Sequence, residues 1–297
     1  MMPDFTRSLW FFQHYPYHQS WIWRAWLWTL VGILLTLRIS DTMAETFPGL
    51  DLSREQAWAE QITGHLRVGE VVWLPFLLGR SLALYTKAIG RGSNHGAVVL
   101  LPSPNAHPDS EPISTLRTTL PLHGWHTLAV QLPTVLTDSL PADYALMLPT
   151  ACARLREAIH WLDEKRLSNV VVLGHGLGAA VAAACVAEMG DKGVVRGIVL
   201  LGAGGGGGSL PPNLDPAASL EKITLPILDL YGEYDHPSVL SGVRTREAGR
   251  RNRERPYVQV IVPGADHRLT GFEDVIATRI AAWLGRHAPG QEIRGGG

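Results

Sequence analysis

Charged residues are scarce in this chain and balanced between the two signs. Of its 297 residues, 18% are charged, and the formal net charge is -1. Without a basic excess, the composition argues against nucleic acid as a partner. The densest basic run, residues 244–255, is interrupted by Glu247 and Glu254. We interpret it as a solvated helix face, with a patch for anions or a membrane surface as the alternative.

Cysteine is also scarce, and its positions do not form a zinc-binding pattern. The two cysteines, Cys152 and Cys185, belong to no Cys-x-x-Cys motif and no Cys/His cluster. Both lie in predicted helices among apolar neighbours, so we interpret them as buried free thiols. A disulfide between them is the alternative if the protein is exported, because disulfides persist in oxidising compartments.

Cofactor-binding motifs are missing as well. The five glycines Gly204–Gly208 lack the Lys-Ser/Thr of a P-loop and the spaced glycines of a dinucleotide fold. Such a run holds neither a helix nor a strand well, so it predicts a flexible loop. We therefore predict no cofactor and no metal.

The N-terminal apolar run is short for a membrane span, which needs about 20 residues. Ala25–Leu37 is a run of thirteen uncharged residues that follows Arg24, as in a signal peptide. Thr42-Met43-Ala44 offers small residues at the right positions for cleavage. We predict that residues 1–44 are a signal peptide or an N-terminal membrane anchor, and that the protein is periplasmic or exported. A span extended into Trp21–Trp23 and a cytosolic chain remain alternatives.

Residues 45–288 alternate between apolar strands and amphipathic helices, as in an α/β domain. Glu70–Leu74 and Ser81–Thr86 predict an antiparallel hairpin. The strands after it are mostly continuous Val/Ile/Leu runs, which is typical of a parallel sheet covered by helices on both faces. These strands are Ala97–Leu101, Thr127–Leu132, Val170–Leu173, Ile198–Leu201, Ile227–Tyr231 and Val258–Val262. We predict a doubly wound, mostly parallel sheet, a helix that begins near Pro149, and a disordered tail at residues 289–297.

The segment Leu173–Gly178 joins a predicted strand to an alanine-rich helix. This strand–turn–helix context is what a nucleophile elbow with the pattern Gly-x-Ser-x-Gly requires. The central position holds Gly176, which suits a strained turn but brings no oxygen or sulfur. The pattern therefore predicts that the turn is present and the nucleophile is missing.

Two further candidates follow later strands, where open α/β sheets place their chemistry. Asp235 follows the next-to-last strand and can orient an imidazole, or alternatively cap the next helix. His267 follows the last strand in the sequence Pro263–His267. The order elbow, acid, histidine is the order used by α/β-hydrolases.

These motifs resemble the α/β-hydrolase superfamily from about Gly96 to Leu284. LGHGLGAA resembles the usual LGHSLGG, YGEYD resembles the acid loop and PGADH the histidine loop. Together with HGAVVLLPSPNAHPD and the predicted leader, the chain is similar to an exported bacterial family of unknown function within that superfamily. The resemblance implies an α/β-hydrolase-like fold. Because only residues 202–226 separate two strands where a cap would be inserted, it also implies no large cap domain and a shallow, open pocket.

The resemblance also implies roles for single residues. Asp235 matches the acid, His267 the base and Gly176 the nucleophile position, while the N–H of Leu177 matches one oxyanion donor. The second donor would come from the loop at residues 102–105. Pro102 and Pro104 have no N–H, so Ser103 or Asn105 would have to donate.

Three functions remain open from the sequence. The first is a non-catalytic binding or assembly protein of the bacterial cell envelope, with an unknown envelope protein or polymer as partner. The second is a hydrolase or lyase in which His267, oriented by Asp235, acts as a general base, with help from His175 or Ser103. The third is a serine hydrolase with a displaced nucleophile, for which Ser103 is the nearest candidate. His175 is alternatively a remnant of an active elbow.

Overall fold

The computed structural model describes the chain from residue 49 to residue 289, with several gaps. The described residues are 49–77, 79–90, 95–136, 141–190, 193–204, 210–248 and 256–289. The predicted leader, the glycine run beyond Gly204 and the predicted tail beyond residue 289 lie outside these residues. Among the described helices, none combines the length and apolar character needed to cross a membrane.

Strands and helices alternate along the described chain. In order, the elements are α1 (Leu52–Thr63), β1 (Glu70–Phe76), β2 (Gly79–Thr86), β3 (Ala97–Leu101), α2 (Ile113–Thr119), β4 (His126–Val130), α3 (Pro141–Glu164), β5 (Val170–His175), α4 (Leu177–Met189), β6 (Val195–Leu201), α5 (Pro216–Leu220), β7 (Ile227–Tyr234), α6 (Pro237–Ala248), β8 (Tyr257–Asp266) and α7 (Glu273–His287). Short 3-10 turns occupy Leu120–His123 and Pro212–Leu214.

The strands form one sheet in the order β1-β2-β4-β3-β5-β6-β7-β8. β1 and β2 are a hairpin, β2 pairs antiparallel with β4, and β3 to β8 are parallel to one another. The predicted fold class, a mostly parallel α/β sheet, is therefore confirmed. The parallel strands β3 to β8 all end on the same side of the sheet, which we call the carboxyl edge. We call the opposite side the amino edge.

Burial on both faces explains why the central strands are uniformly apolar. Every residue of β3 and of β5 is buried. One apolar core packs α3 and α4 against the sheet, and a second packs α1, α2 and α7 against the other face. In α4, the small side chains of Ala179, Ala180, Ala182 and Ala183 are buried, which lets this helix lie close to the sheet.

The helix that contains Pro149 begins earlier than the sequence suggests. α3 starts at Pro141, so Pro149 lies inside it rather than near its start. A proline there removes the hydrogen bond to the carbonyl four residues before it. That carbonyl, of Ala145, instead accepts a long hydrogen bond of 3.5 Å from Nδ2 of Asn213.

Cys152 and Cys185 form a disulfide, which corrects their interpretation as free thiols. The bond ties α3 to α4, with the two Cα atoms 5.1 Å apart. Both residues are fully buried where the two helices pack together. The distance between helices is a tertiary property, so the local apolar pattern around each cysteine could not reveal the pairing.

Candidate functional site

The elbow is built at Gly176, between β5 and α4. Its backbone has φ 58° and ψ -124°, and its amide donates to the carbonyl of Leu201 on β6 at 2.8 Å. A residue with a Cβ atom is strained at such a positive φ, whereas glycine adopts this backbone conformation without strain. The turn ends β5, and α4 begins directly after it at Leu177.

The flanking glycines of the elbow are required by close backbone contacts. A Cβ atom at Gly174 would lie 2.3 Å from the carbonyl oxygen of Gly178. One at Gly178 would lie 2.3 Å from the carbonyl oxygen of Pro102 and 2.5 Å from that of Leu101. The elbow therefore keeps the packing of a nucleophile turn, with β5, α4 and the end of β3 in direct contact.

Asp235 lies just after β7 and is held rigidly. Its Oδ1 accepts the amide of His236 at 2.8 Å and its Oδ2 accepts the amide of Gly232 at 3.1 Å. Burial alone would raise the pKa of this carboxyl. The hydrogen bonds from His267, Gly232 and His236 outweigh burial and hold the pKa of Asp235 below its ordinary value. The group is thus a buried, ionised hydrogen-bond acceptor.

His267 completes a dyad with Asp235. Its Nδ1 lies 2.7 Å from Oδ1 of Asp235, and since the carboxylate accepts, Nδ1–H donates. The other ring nitrogen, Nε2, faces the elbow, because a Cβ atom at Gly176 would lie 3.1 Å from it. The structure thus brings together the two residues that the sequence assigned as acid and base, in an orientation suited to proton transfer at position 176.

Ser103 occupies the space beside the elbow. Its Oγ lies 2.6 Å from where a Cβ atom at Gly176 would stand, and it donates to the carbonyl of His175 at 3.0 Å. Asn105 is directed elsewhere, with Nδ2 donating to the hydroxyl of Tyr144 at 3.3 Å. Of the two residues predicted as the second oxyanion donor, Ser103 therefore has its side chain at the elbow, whereas the side chain of Asn105 is engaged with α3.

His175 supports the loop that carries His267. Its Nε2–H donates to the backbone carbonyl of His267 at 3.0 Å, and the two rings have centroids 4.8 Å apart. Burial lowers the pKa of His175 to about 4, so the ring is neutral near pH 7. The sequence offered this residue as a catalytic assistant, but its geometry is that of a positioning residue.

Two neighbours of the dyad escaped the sequence analysis. The ring of His236 lies against that of His267, tilted by 39° with centroids 4.3 Å apart. Gly202 follows β6 with φ 58°, and a Cβ atom there would lie 3.0 Å from Nδ1 of His267 and 3.2 Å from Oδ2 of Asp235. Gly202 directly follows a predicted strand, and His236 directly follows the predicted acid, Asp235. These positions were the signal available in the sequence.

Within the part of the chain that the structure describes, no group of three or more histidine, cysteine, aspartate or glutamate side chains is arranged to hold a metal ion. The dyad, the Ser103 hydroxyl and the amino end of α4 lie around the elbow. Together they can transfer a proton, accept or donate hydrogen bonds, and attract negative charge at the helix terminus.

Solved structures with the same architecture are α/β-hydrolase-fold proteins. A dienelactone hydrolase from Anabaena variabilis is 20% identical with a TM-score of 0.59, covering 75% of this chain and 100% of its own. Est1E from Butyrivibrio proteoclasticus is 11% identical with a TM-score of 0.57, covering 73% and 98%. An alpha-beta serine hydrolase homologue from Coxiella burnetii is 14% identical with a TM-score of 0.57, covering 74% and 99%. These likenesses establish the α/β-hydrolase fold.

Comparison with proteins of curated function finds no match. A family model does match, in two overlapping segments at residues 40–153 and 149–286, which together span most of the chain. Its description is "Protein of unknown function (DUF3530)". The chain, an α/β-hydrolase fold with a glycine at the tip of its elbow, therefore belongs to the DUF3530 family.

Proposed function

We propose that this protein is a non-catalytic binding or assembly protein of the bacterial cell envelope, built on the α/β-hydrolase fold. The observation that carries the proposal is the elbow itself. Gly176 brings no attacking atom, and the Oγ of Ser103 fills the adjacent space while donating to the carbonyl of His175. The dyad then serves to recognise a ligand through hydrogen bonds rather than to transform it.

The oxyanion side of the site also favours binding over turnover. Pro102 and Pro104 supply no N–H in the loop after β3, and the side-chain amide of Asn105 donates to the hydroxyl of Tyr144. In serine proteases lacking a triad member, binding and the oxyanion hole leave a residual acceleration of about 10³–10⁴-fold over water. That falls short of the roughly 10⁶-fold or more expected of an enzyme.

The disulfide supports the envelope location in this proposal. A buried bond between Cys152 and Cys185 fits an oxidising compartment and is uncommon in the cytosol of most bacteria. The predicted leader at residues 1–44 would deliver the domain to such a compartment. The partner proposed from the sequence, an envelope protein or polymer, is consistent with both features.

A second candidate function is favoured by the intact dyad. His267 has Nδ1 committed to Asp235, and its Nε2 faces the elbow. In this alternative, Nε2 accepts a proton from water or from Ser103 Oγ, and the oxygen attacks the carbonyl carbon of an ester. The bond from that carbon to the alcohol oxygen then breaks, and Nε2–H gives its proton to the leaving alcohol. If Ser103 attacks, water hydrolyses the acyl-enzyme by the same two steps. For Ser103 to serve, its hydroxyl would have to turn away from the carbonyl of His175 that it now bonds.

The experiment that separates the two is ester turnover combined with a fluorophosphonate probe, which labels activated serines. The full chain and the variants Ser103→Ala and His267→Ala are compared under the same conditions. We expect no turnover above the buffer rate in any of the three, and no labelling.

Activity that is lost in His267→Ala but kept in Ser103→Ala would replace our proposal by the general-base hydrolase. Labelling of the parent that disappears in Ser103→Ala would replace it by the displaced-nucleophile hydrolase. Circular dichroism of each variant confirms that any loss of signal does not come from unfolding.

A further inference from the structure

Large apolar side chains are exposed around the carboxyl edge of the sheet, where the dyad lies. The side chains of Leu77, Leu146 and Tyr234 are 85%, 63% and 69% exposed. Leu136 and Leu240 are exposed to a smaller degree, at 44% and 38%. We call these five residues the apolar rim. Single exposed apolar residues are ordinary, so their shared position is what needs an explanation.

Topology places every member of the rim at this edge. β2 is antiparallel to β4, and the amide of Gln131, just after β4, donates to Leu82 of β2, so the turn that carries Leu77 lies beyond the end of β4. Leu136 and Leu146 lie after β4, the latter in the second turn of α3. Tyr234 is the last residue of β7, and Leu240 lies in the first turns of α6.

Exposure alone does not single out this edge, since Ile89 and Leu122 at the amino edge are 58% and 64% exposed. What distinguishes the carboxyl edge is that the chain enters the domain there. The amide of Asp51 donates to Thr134 at 2.7 Å, and that of Leu136 donates to Gly49 at 3.1 Å. Gly49 therefore lies beside a rim residue, and the segment that precedes it joins the domain at the carboxyl edge.

That preceding segment contains the apolar run Ala25–Leu37 and several tryptophans, a residue enriched where membranes meet water. Eleven residues lie between Leu37 and Gly49, and a fully extended chain of this length spans at most roughly 40 Å. If the run inserts into a bilayer, the carboxyl edge is the part of the domain tethered within that distance of the lipid surface.

We propose that the apolar rim rests on the surface of a lipid bilayer, so that the dyad opens toward the membrane. Leucine side chains would enter the headgroup region, and Tyr234 would lie at the boundary between lipid and water, as tyrosine does in membrane proteins. The proposal rests on the proposed export and membrane attachment of the chain. It does not depend on whether the site turns over esters.

The test measures the depth of single fluorophores on the full chain bound to vesicles of phosphatidylethanolamine and phosphatidylglycerol. The variants Leu77→Cys, Leu146→Cys and Tyr234→Cys are each labelled with bimane, as are Ile89→Cys and Leu122→Cys at the amino edge. The native cysteines are paired with each other, so the introduced thiol is the one that reacts. Nitroxide-labelled lipid then quenches fluorophores that touch the membrane.

We expect quenching by lipid to be at least twofold stronger at the three rim positions than at the two amino-edge positions, which are similarly exposed in solution. Equal quenching at all five positions, or none at any, overturns the proposal. Because the three rim variants are independent, a variant that misfolds leaves two others to decide. Neither outcome bears on ester turnover, so the test stands apart from that of the proposed function.

Discussion

The elbow and the dyad meet at one point, but they have kept different parts of a hydrolase site. At the elbow, the backbone turn and its tight glycine packing are present, while Gly176 offers no reactive atom. At the dyad, Asp235 and His267 keep both the side chains and their orientation. A turn is maintained by the fold around it, whereas a nucleophile is a single side chain that substitution removes at once. The contrast leaves an ordered acid and base beside an elbow whose central residue has no attacking atom.

The largest effect we expect comes from giving the elbow a nucleophile. Gly176→Ser alone would place its Cβ 2.6 Å from Ser103 Oγ, so the serine needs room. In Gly176→Ser combined with Ser103→Gly, we expect ester hydrolysis to rise from the buffer rate by on the order of 10³-fold, since an incomplete oxyanion hole withholds part of the roughly 10⁶-fold carried by a triad. Release of p-nitrophenol measures it.

Adding His267→Ala to that double variant should abolish the gain, which ties it to the dyad. If the folded double variant gains nothing, the dyad is not aligned for catalysis, and the contrast between the two halves of the site disappears.

The packing of the elbow predicts the next largest effect. Gly178→Ala would drive a Cβ atom against two backbone carbonyls, those of Pro102 and Leu101. We expect the free energy of unfolding to fall by about 3 kcal/mol, as for severe overpacking. Urea denaturation measures this change.

Gly285→Ala is the matched control, because Gly285 is also helical but has nothing within 4 Å of its added Cβ. There we expect a gain of roughly 0.5–1 kcal/mol from helix propensity. Similar losses in both variants would show that the elbow is not the tightly packed turn described above.

His175, which supports the loop that carries His267, predicts that the stability of the fold depends on pH. Burial lowers the pKa of His175 from 6.5 to about 4 in the folded chain, so between these values the unfolded chain binds the extra proton. Stability is therefore present above pH 6.5 and is lost as the pH falls toward 4, by about 3 kcal/mol for this group. Urea unfolding at a series of pH values measures the slope.

His175→Gln keeps a donor for the carbonyl of His267 but does not titrate. We expect its stability to fall less steeply over the same pH range, whatever its stability at pH 7. An unchanged slope would mean that other groups carry the pH dependence and that His175 is not held neutral.

The smallest effect concerns the hydroxyl beside the elbow. Ser103→Ala removes a hydrogen bond to the carbonyl of His175, which should lower the free energy of unfolding by about 1 kcal/mol. Ser241→Ala is a fitting comparison, because its hydroxyl bonds the carbonyl of Ser238 at an exposed position. For that variant we expect a change within about 0.5 kcal/mol. Equal changes would indicate that Ser103 is not a structural part of the elbow.

Much of the fold was predictable because strand and helix periodicity is a local signal. β3 was predicted at its observed bounds, Ala97–Leu101, since a buried parallel strand is apolar throughout. The start of α3 was predicted wrongly because a proline such as Pro149 is typical of the first turn of a helix. The contact that compensates for Pro149, between Ala145 and Asn213, comes from a distant segment. The predicted boundary of a helix is wrong where a long-range contact outweighs the local preference of the sequence.

The sequence by itself determined the order of the elements, the elbow turn and the glycine at its tip, because each depends on neighbours a few residues apart. Only the tertiary structure decided that Cys152 bonds Cys185 and that Ser103 rather than Asn105 reaches the elbow. It also decided that His175 supports the histidine loop. These facts depend on the distance between segments far apart in the chain. Such distances are set by how helices and loops pack on the sheet, and no local pattern encodes them.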